Sequence, residues 1–253
     1  MYSKYDKISE LILNSNNVVI LSGAGVSTNS GIPDFRSRGG FYDGNGAENF
    51  LSRSYYNKDI KSFWKAYIEI FGEKLISENY EPNEGHLLAG YLKSLGKNVK
   101  VITQNVDGLY FKVPELNFND VIEYHGNATN LICCNDNCGH NVESSILLKL
   151  DLNTELPICP ICSSNLDVDV VLFGDTVRCS GIAQSYVNVS DLIIVMGTGL
   201  QVYPFNSLLT NNKKRKNILL NYTDIPKKRF EVKLLQDISK SVNEIIGNLK
   251  VRI

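Results

Sequence analysis

The sequence lacks a long hydrophobic run, a strong net charge and an N-terminal signal segment. It carries 26 Lys and Arg against 27 Asp and Glu, a formal net charge of -1. That balance offers no strong field to attract nucleic acid or an anionic membrane. Asp6 and Glu10 interrupt the N-terminal segment, and no apolar run approaches the ~20 residues of a membrane span. We therefore expect a soluble intracellular protein that binds neither nucleic acid nor membranes directly.

Cysteine is sparse outside one short segment. Four of the six cysteines form two close pairs, Cys133 with Cys138 and Cys159 with Cys162. In a chain of this size without a signal segment, such pairs favour a metal site over disulfides. Four thiolates at this spacing predict one structural zinc ion with a filled tetrahedral coordination sphere.

Two further residues compete for a place in that metal site. Cys134 could replace Cys133 as the first ligand, and His140 follows the first cluster closely enough to be an alternative ligand. The sixth cysteine, Cys179, lies outside the segment, and we expect it to be buried. The spacing therefore predicts the metal but leaves the ligand set open.

Short, nearly continuous apolar runs predict β-strands that are buried on both faces, as in a parallel sheet. A glycine or a polar residue follows each run, and helical patterns lie between the runs. The predicted strands are 17–21, 99–103, 168–173, 192–196 and 217–220, and the clearer helices are an N-terminal helix, 60–71 and 85–95. This alternation predicts an α/β doubly wound domain with its ligand site beyond the carboxyl ends of the strands.

A glycine-rich segment follows the first predicted strand. Gly23 and Gly25 suit a dinucleotide-binding turn, where missing side chains let a pyrophosphate approach backbone N–H groups. Thr28 stands where the third glycine of that fingerprint is expected. By itself, the segment indicates either a phosphate-binding turn or only a tight turn.

The longer motif string resembles the signature of the sirtuins, over about residues 8–225. The matching pieces are GAGVSTNSGIPDFRS (23–37), TQNVDGL (103–109), His125-Gly126, the paired cysteines, FGD (173–175), GTGLQVYP (197–204) and Asn221. The resemblance implies a Rossmann-like parallel-sheet large domain and a small inserted zinc-binding domain. It also implies an enzyme that uses NAD to remove acyl groups from protein lysines, releasing nicotinamide and O-acyl-ADP-ribose.

The resemblance divides the chain and assigns its NAD site. It implies a Rossmann-like domain over 1–126 and 168–253, with a mobile cofactor loop near 24–50, and a zinc-binding insert over 127–167, here called the cysteine module. Its counting from His125 places the first zinc ligand on Cys133. The cofactor-binding residues it implies are Gly23, Ala24, Gly25, Asp34, Phe35, Arg36, Gln104, Asn105, Asp107, Gly197, Thr198, Gly199 and Asn221.

His125 and Asn105 are the catalytic residues that the resemblance implies. Imidazole titrates near neutral pH, so His125 can accept a proton from a ribose hydroxyl as a general base. The side-chain amide of Asn105 both donates and accepts hydrogen bonds, which suits ribose and carboxamide recognition. His86 lies on the predicted helix 85–95 among leucines, and we interpret it as a core packing residue.

Two segments resemble the family's peptide clamp, in which the substrate adds as an extended strand between them. The substrate-binding residues implied are Val171, Phe173, Gly174, Asp175, Gln201, Val202 and Tyr203, with Val171 and Phe173 lining an acyl-lysine tunnel. Four positions depart from the family pattern. They are Val168 for proline, Tyr110 for histidine, Asp175 for glutamate and Gly199 for serine.

The acyl group is predicted to be acetyl or a longer apolar chain. Family members that favour acidic acyl groups carry a Tyr and an Arg three residues apart, and here Tyr67 and Ile70 stand in those places. Without the arginine, a succinyl carboxylate lacks a charged partner and is costly to bury.

Other functions are compatible with the same scaffold. A protein mono-ADP-ribosyltransferase or an NAD hydrolase is the main alternative, and a non-catalytic NAD-binding module is a further one. The basic runs 213–216 and 227–229 are typical either of nuclear import or of a solvated face, and we favour the latter. Residence is therefore expected to be cytoplasmic, or nuclear in a eukaryote, and the oligomeric state is left open.

Overall fold

The larger of two sheets contains six parallel strands. The structure is a computed structural model that describes residues 2–35, 39–42, 47–210 and 215–253. The strands of this sheet are β1 (Asn17–Ser22), β2 (Asn98–Thr103), β3 (Val121–Glu123), β7 (Leu192–Met196), β8 (Lys216–Asn221) and β9 (Val232–Leu235). Their order across the sheet is β3-β2-β1-β7-β8-β9. The order reverses at β1, which is the switch point of a doubly wound fold. The Rossmann-like prediction is therefore confirmed.

The described ranges contain the helices α1 (Lys4–Leu13), α2 (Ala47–Phe50), α3 (Arg53–Lys58), α4 (Ile60–Phe71), α5 (Glu84–Ser94), α6 (Ser180–Val189) and α7 (Ile238–Arg252). One face of the large sheet is covered by α1, α5 and α7, and the other is covered by α6. Side-chain caps begin several of them, such as Ser3 before α1 and Asp59 before α4. None of the helices in the described ranges is both long and apolar enough to cross a membrane.

The smaller sheet has three antiparallel strands and belongs to the cysteine module. Its order is β5-β4-β6, with β4 (Asn130–Cys133), β5 (Asn141–Glu143) and β6 (Leu166–Val168). Cys133 ends β4, Cys138 lies between β4 and β5, and Cys159 and Cys162 lie between β5 and β6. The module boundaries at 127 and 167 stay predictions, although the small sheet lies almost wholly between them.

Three hydrophobic clusters follow from this arrangement. Alternate residues of the parallel strands point to opposite faces, so Ile194 packs in one cluster and Val195 in another. The first cluster also takes in side chains of α1, α5 and α7, and the second takes in α6. The third cluster joins the aromatic face of α4 to the cysteine module, and includes Trp64, Tyr67 and Leu131.

The structure corrects the prediction of a core strand at 168–173. Only Leu166–Val168 is a strand, and it pairs with β4 of the small sheet. The apolar side chains that follow, such as Val170 and Leu172, are buried in the third cluster rather than between parallel strands. Burial against a different partner gives the same apolar pattern, so the pattern could not distinguish the two.

Two cations of the basic runs make structural contacts, whereas Lys227 and Arg229 are exposed, as expected of a solvated face. Arg215 is 4% exposed, and its guanidinium donates to the backbone oxygens of Val187 and Thr210. Lys228 donates to the backbone oxygens of Asn206 and Leu209. Arg215 and Lys228 therefore supply hydrogen bonds to backbone oxygens of neighbouring segments. Residues 211–214 lie outside the described part of the chain.

Candidate active site at the sheet edge

The predicted site residues follow neighbouring strands at the carboxyl edge of the large sheet. His125 comes after β3, residues 104–107 after β2, residues 23–27 after β1, residues 197–199 after β7, and Asn221 ends β8. Because the parallel strands are hydrogen-bonded in the order β3-β2-β1-β7-β8, these segments lie side by side. Five segments that follow or end different strands therefore meet at one edge.

The glycines at this edge allow two loops to pack backbone against backbone. The N–H of Gly25 donates to the carbonyl oxygen of Gly197 at 2.9 Å. A Cβ atom on Gly25 would lie 3.0 Å from Cα of Gly197, and one on Gly197 would lie 2.3 Å from the nitrogen of Val26. Gly197 also has a φ of 62°, in the left-handed region. Close approach of the two loops is thus a second reason for these glycines, besides access for a phosphate.

A buried hydrogen-bond network centres on Ser27. Its Oγ donates to Oδ2 of Asp107 at 2.6 Å and lies 2.9 Å from Nδ2 of Asn105 and 3.3 Å from Nε2 of His86. Nδ1 of His86 accepts from the N–H of Asn83, which leaves the ring proton on Nε2. Ser27 therefore donates to the aspartate and accepts from the amide and the imidazole.

This network fixes the orientation of Asn105 and Asp107. Because Nδ2 of Asn105 is held by Ser27, its Oδ1 is left buried with no hydrogen-bond partner among the described residues. Burial raises the pKa of Asp107, although hydrogen bonds from Ser27 and from the backbone N–H of Leu109 oppose that rise. An unpaired buried acceptor is costly. A ligand N–H or a water molecule would satisfy it.

Ser27 and His86 are functional candidates that sequence reasoning missed or underrated. His86 is 0% exposed, and burial lowers its pKa to about 3, as a packing residue would show. Its contact with Ser27 nevertheless links it to Asp107. The one signal in the sequence was the position of Ser27, a residue with a side-chain hydroxyl inside the glycine-rich segment that follows β1.

A narrow pocket lies against this network. Its walls come from the glycine-rich loop, the segment that follows it, the π-helical turn Gly72–Ile76 after α4, and the loop after β2. They include Ala24, Ser27, Ile32, Pro33, Phe35, Phe41, Leu75, Asn105, Val106 and Asp107. One side is therefore polar and the other apolar.

Aromatic rings form the apolar side of the pocket. The Phe35 ring centroid lies 5.1 Å from that of Phe41 and 5.0 Å from that of Tyr42. Phe41 in turn packs on Phe71 of α4 at 5.3 Å. The N–H groups of Phe41 and Tyr42 donate to the backbone oxygens of Asp34 and Phe35, which holds these two pairs of residues side by side. Arg36 and residues 43–46 lie outside the described residues, so those parts of the predicted loop stay predictions.

His125 lies at the β3 end of the edge, beside Gln104. Burial lowers the pKa of His125 from 6.5, while a hydrogen bond with the backbone of Gln104 raises it in part. The ring is therefore neutral at pH 7 and able to accept a proton. Nε2 of Gln104 donates to Oγ1 of Thr198 at 2.7 Å. Gln104 thus connects the histidine to the loop after β7.

The far end of the edge is held by Asn221. Its Nδ2 donates to the backbone oxygen of Thr223 at 2.9 Å and lies 3.4 Å from that of Thr198. Gly199 is exposed next to these groups. Asn221 therefore shapes the loop after β7 with its amide nitrogen.

Both predicted peptide-clamp segments follow His125 in the chain. The N–H of Val171 donates to the backbone oxygen of His125 at 2.9 Å, which ties this segment to the catalytic candidate. Phe173 is 46% exposed and Tyr203 is 79% exposed. Among the hydrogen bonds of the described residues, none joins 173–175 to 201–203. The two segments are thus not paired with each other.

The segment Phe173–Asp175, here called the substrate turn, pairs with an element that sequence reasoning did not consider. The N–H of Phe173 donates to the oxygen of Leu51 at 2.9 Å, and its oxygen accepts from the N–H of Arg53 at 3.0 Å. Both backbone groups of Phe173 are therefore occupied. Gly174, with a φ of 96°, forms the bend that follows.

Four cysteine sulfurs converge in the cysteine module. The Sγ atoms of Cys133, Cys138, Cys159 and Cys162 all lie within 4.8 Å of one another. Two of the separations are 3.4 Å, between Cys133 and Cys162, and 3.8 Å, between Cys138 and Cys159. Zn–S bonds of ~2.3 Å in a tetrahedron require sulfurs about 3.8 Å apart. The donor set therefore fits a structural zinc ion.

The structure distinguishes this group from its competitors. Cys134 is exposed, and neither it nor His140 belongs to the group of four sulfurs. Cys133 is the last residue of β4 and is buried, whereas Cys134 follows the strand and is exposed. The ambiguity left by the spacing is resolved by the positions of the four sulfurs.

The fold and the edge define a class of protein: a Rossmann-like nucleotide-binding protein with an inserted four-cysteine module. The profile of the Sir2 family matches residues 23–204. The chain belongs to the Sir2 family, which confirms its resemblance to the sirtuins.

Curated relatives are similar in sequence to this protein over most of the chain. It is 36% identical over 222 residues to the NAD-dependent protein deacetylase 2 of Geobacillus kaustophilus, covering 86% of each chain. It is 36% identical over 207 residues to an NAD-dependent protein deacetylase of Bacillus subtilis, covering 79% of this chain and 80% of that protein.

Solved structures of Sir2 proteins superpose on almost the whole chain. A Sir2 homolog–NAD complex superposes with a TM-score of 0.82 at 29% identity, covering 98% of this chain and 94% of that chain. A Sir2 complex with a deacetylated p53 peptide and 3'-O-acetyl-ADP-ribose superposes with a TM-score of 0.81 at 26% identity, covering 97% of this chain and 98% of that chain.

Proposed function

We propose that this protein is an NAD-dependent protein lysine deacylase that releases nicotinamide and O-acyl-ADP-ribose. The observation that carries the proposal is the meeting of His125, the Asn105–Ser27–Asp107 network and the glycine loops at one sheet edge. The names of the curated relatives and the ligands of the solved neighbours support it.

The residues at the edge fit NAD. Oδ1 of Asn105 is a buried acceptor without a partner, which suits an N–H of the carboxamide. Gly23, Gly25 and the loop 197–199 would hold the phosphates and ribose, with Arg36 as a further phosphate partner. When bound, NAD supplies an ADP-ribosyl group that accepts the acyl group as nicotinamide departs.

The chain itself contributes a base and a water-poor pocket. The neutral imidazole of His125 accepts a proton from a ribose hydroxyl, and its link to Gln104 keeps the ring in place. The rings of Phe35 and Phe41 cover the apolar side of the pocket and exclude water, which would otherwise compete as a nucleophile.

The zinc ion, in this proposal, has no chemical step. Cys133, Cys138, Cys159 and Cys162 fill its coordination sphere, so no position is open for a substrate. Its role is to hold the cysteine module beside the third hydrophobic cluster. The substrate, an acyl-lysine peptide, would lie in the groove between the substrate turn and residues 201–203.

The surroundings of Tyr67 and Ile70 support an apolar acyl group. The Tyr67 hydroxyl already donates to the backbone oxygen of Ala128 at 3.1 Å, and Ile70 is 7% exposed in the same cluster. Neither side chain offers a cation to a succinyl carboxylate, which would be costly to bury unpaired.

The test is to identify the products by mass after incubation with NAD and an acetyl-lysine peptide. We expect O-acetyl-ADP-ribose and nicotinamide, formed only with the peptide present. A matched succinyl-lysine peptide should react with a kcat/KM at least ~10-fold lower, because its charge is unpaired. Plain ADP-ribose formed without peptide, or ADP-ribosylated protein, would instead establish the alternative functions.

A further inference from the structure

Arg53 lies outside every motif that predicted the site, yet it contacts the substrate turn. It is the first residue of α3, and it comes three residues after the end of α2, which closes the predicted cofactor loop segment. Its side chain is 27% exposed. It therefore lies where three parts of the molecule meet: the end of that loop segment, the substrate turn and the cysteine module.

The guanidinium forms a two-point ion pair with Asp175 of the substrate turn. Nε donates to Oδ1 at 2.9 Å, and Nη2 donates to Oδ2 at 3.0 Å. Oδ2 also accepts from the N–H of Leu172 at 3.2 Å. Both carboxylate oxygens are thus engaged. Paired bonds of this kind fix orientation as well as distance.

The third guanidinium nitrogen reaches the cysteine module. Nη1 of Arg53 lies 2.9 Å from Oδ2 and 3.2 Å from Oδ1 of Asp167. Asp167 is the central residue of β6, which pairs with β4 beside the zinc-ligand candidate Cys133. One arginine thus connects the substrate turn to the strand that supports the metal site.

Backbone contacts make this connection continuous. The N–H of Arg53 donates to the oxygen of Phe173, and Leu51 accepts from the N–H of Phe173. The Arg53 guanidinium also lies 4.7 Å from the ring centroid of Tyr56, which restricts its position further. The turn is therefore held by backbone bonds on one edge and by the ion pair at its end.

Asp175 departs from the glutamate usual at this position, and Arg53 gives the departure a physical meaning. The shorter carboxylate reaches the N–H of Leu172, three residues earlier, and the guanidinium together. Burial raises the pKa of Asp175, but the bonds from Arg53 and Leu172 outweigh it, so the net shift is downward. The aspartate is thus charged and paired at neutral pH.

We propose that Arg53 is a positioning residue that fixes the substrate turn against the cysteine module, and thereby sets the affinity for the acyl-lysine peptide rather than for NAD. The inference rests on the proposed function. Both backbone groups of Phe173 are already bonded to Leu51 and Arg53. The peptide must therefore bind to the remaining groups of the substrate turn, which is held in a fixed position. Loss of the ion pair frees the turn and lowers peptide affinity.

The experiment compares Arg53→Ala, Arg53→Lys, Asp175→Asn and Asp167→Asn with wild type. Arg252→Ala is the matched control, because Arg252 also pairs with a carboxylate, Asp6, but joins α7 to α1 away from the cleft. Peptide affinity is measured by fluorescence anisotropy of a labelled acetyl-lysine peptide in the presence of ADP-ribose. Steady-state KM values for peptide and NAD, kcat and melting temperature are measured beside it.

Arg53→Ala and Asp175→Asn should weaken peptide binding by at least ~10-fold, because each removes charge-assisted bonds. Arg53→Lys should restore part of the affinity with a single ionic bond, and Asp167→Asn should lose about 3-fold, since only one of two anchors is affected. The KM for NAD and kcat at saturating peptide should change less than ~3-fold. Arg252→Ala should leave peptide affinity unchanged.

Two results would overturn the inference. Unchanged peptide affinity in both Arg53→Ala and Asp175→Asn is one. A parallel rise of both KM values with a lower melting temperature in Arg53→Lys and Asp175→Asn is the other, since it would indicate general structural damage. Failure of the proposed function is a separate outcome, because it would show in wild type as no binding of the acetyl-lysine peptide.

Discussion

The two sides of the cleft are organised by different interactions. The sheet edge is built from short loops that follow parallel strands, joined by backbone bonds and a network of neutral and singly charged groups around Ser27. The opposite side is held by a guanidinium between two carboxylates and by four cysteine sulfurs. The first depends on the core of the large sheet. The second depends on ionic and metal contacts that can be removed one at a time.

Because the two sides are held by different interactions, one side of the cleft can be altered by mutation while the structure of the other is kept. Strand order alone brings the edge residues together, so a mutation in the cysteine module should not disperse them. Conversely, the module is anchored to the rest of the cleft by long-range contacts such as Arg53 with Asp167.

The largest effect should come from removing one zinc ligand. Cys133→Ser should lower bound zinc well below the about one ion per chain expected for wild type, and should abolish acetyl-peptide turnover. ADP-ribose binding at the sheet edge should change less than ~3-fold, because the large sheet is separately packed. Zinc content, turnover and ADP-ribose affinity are the measurements.

Cys134→Ser is the control for that substitution, since the neighbouring thiol is exposed and outside the sulfur group. It should keep zinc and activity. If Cys134→Ser lost zinc while Cys133→Ser retained it, the ligand assignment would be wrong. If Cys133→Ser lost ADP-ribose binding as well, the two sides would not be separable.

A smaller effect should come from Glu123, beside His125 on the sheet-edge side. Burial raises its pKa to about 8, although a hydrogen bond from Asn127 opposes the rise. The folded state therefore keeps a proton that the unfolded state loses above its pKa near 4.5, and stability falls as pH rises from about 5 to 8. Glu123→Gln should remove this loss and gain on the order of a few kcal/mol at pH 8 relative to pH 5.

Urea unfolding of wild type and Glu123→Gln at pH 5, 6.5 and 8 measures that effect. Glu155→Gln, which changes an exposed carboxylate, is the control and should show no such trend. A difference between wild type and Glu123→Gln that stays constant with pH would contradict the assigned protonation state.

The sheet-edge side was largely predictable, because short stretches of sequence indicate its strands and helices. The apolar runs gave β1, β2, β7 and β8 within about a residue, and the 60–71 pattern matches α4 (Ile60–Phe71). β3 was missed because three residues are too few to show a period, and the same holds for the four of β9. The shape of the loop at 23–27 was still hidden, since Ser27 gains its role only by folding against His86 and Asp107.

The other side was less predictable, because its contacts join residues more than 100 positions apart. Nothing in the neighbourhood of Arg53 indicates that it meets Asp167, 114 residues later, and Asp175, 122 residues later. The 168–173 run was wrongly assigned to the large sheet because burial in the third cluster gives the same apolar pattern as burial between parallel strands. The cysteines are the exception, since the chemistry of four thiolates restricts where they can lie.

The central claim is that one imidazole at the sheet edge accepts the proton that acyl transfer requires. His125→Ala tests it most directly, through the products formed from NAD and an acetyl-lysine peptide beside a measurement of ADP-ribose affinity. The account predicts ADP-ribose binding within about 3-fold of wild type and a loss of O-acetyl-ADP-ribose formation of about 100-fold or more. Undiminished formation of O-acetyl-ADP-ribose by His125→Ala would contradict it.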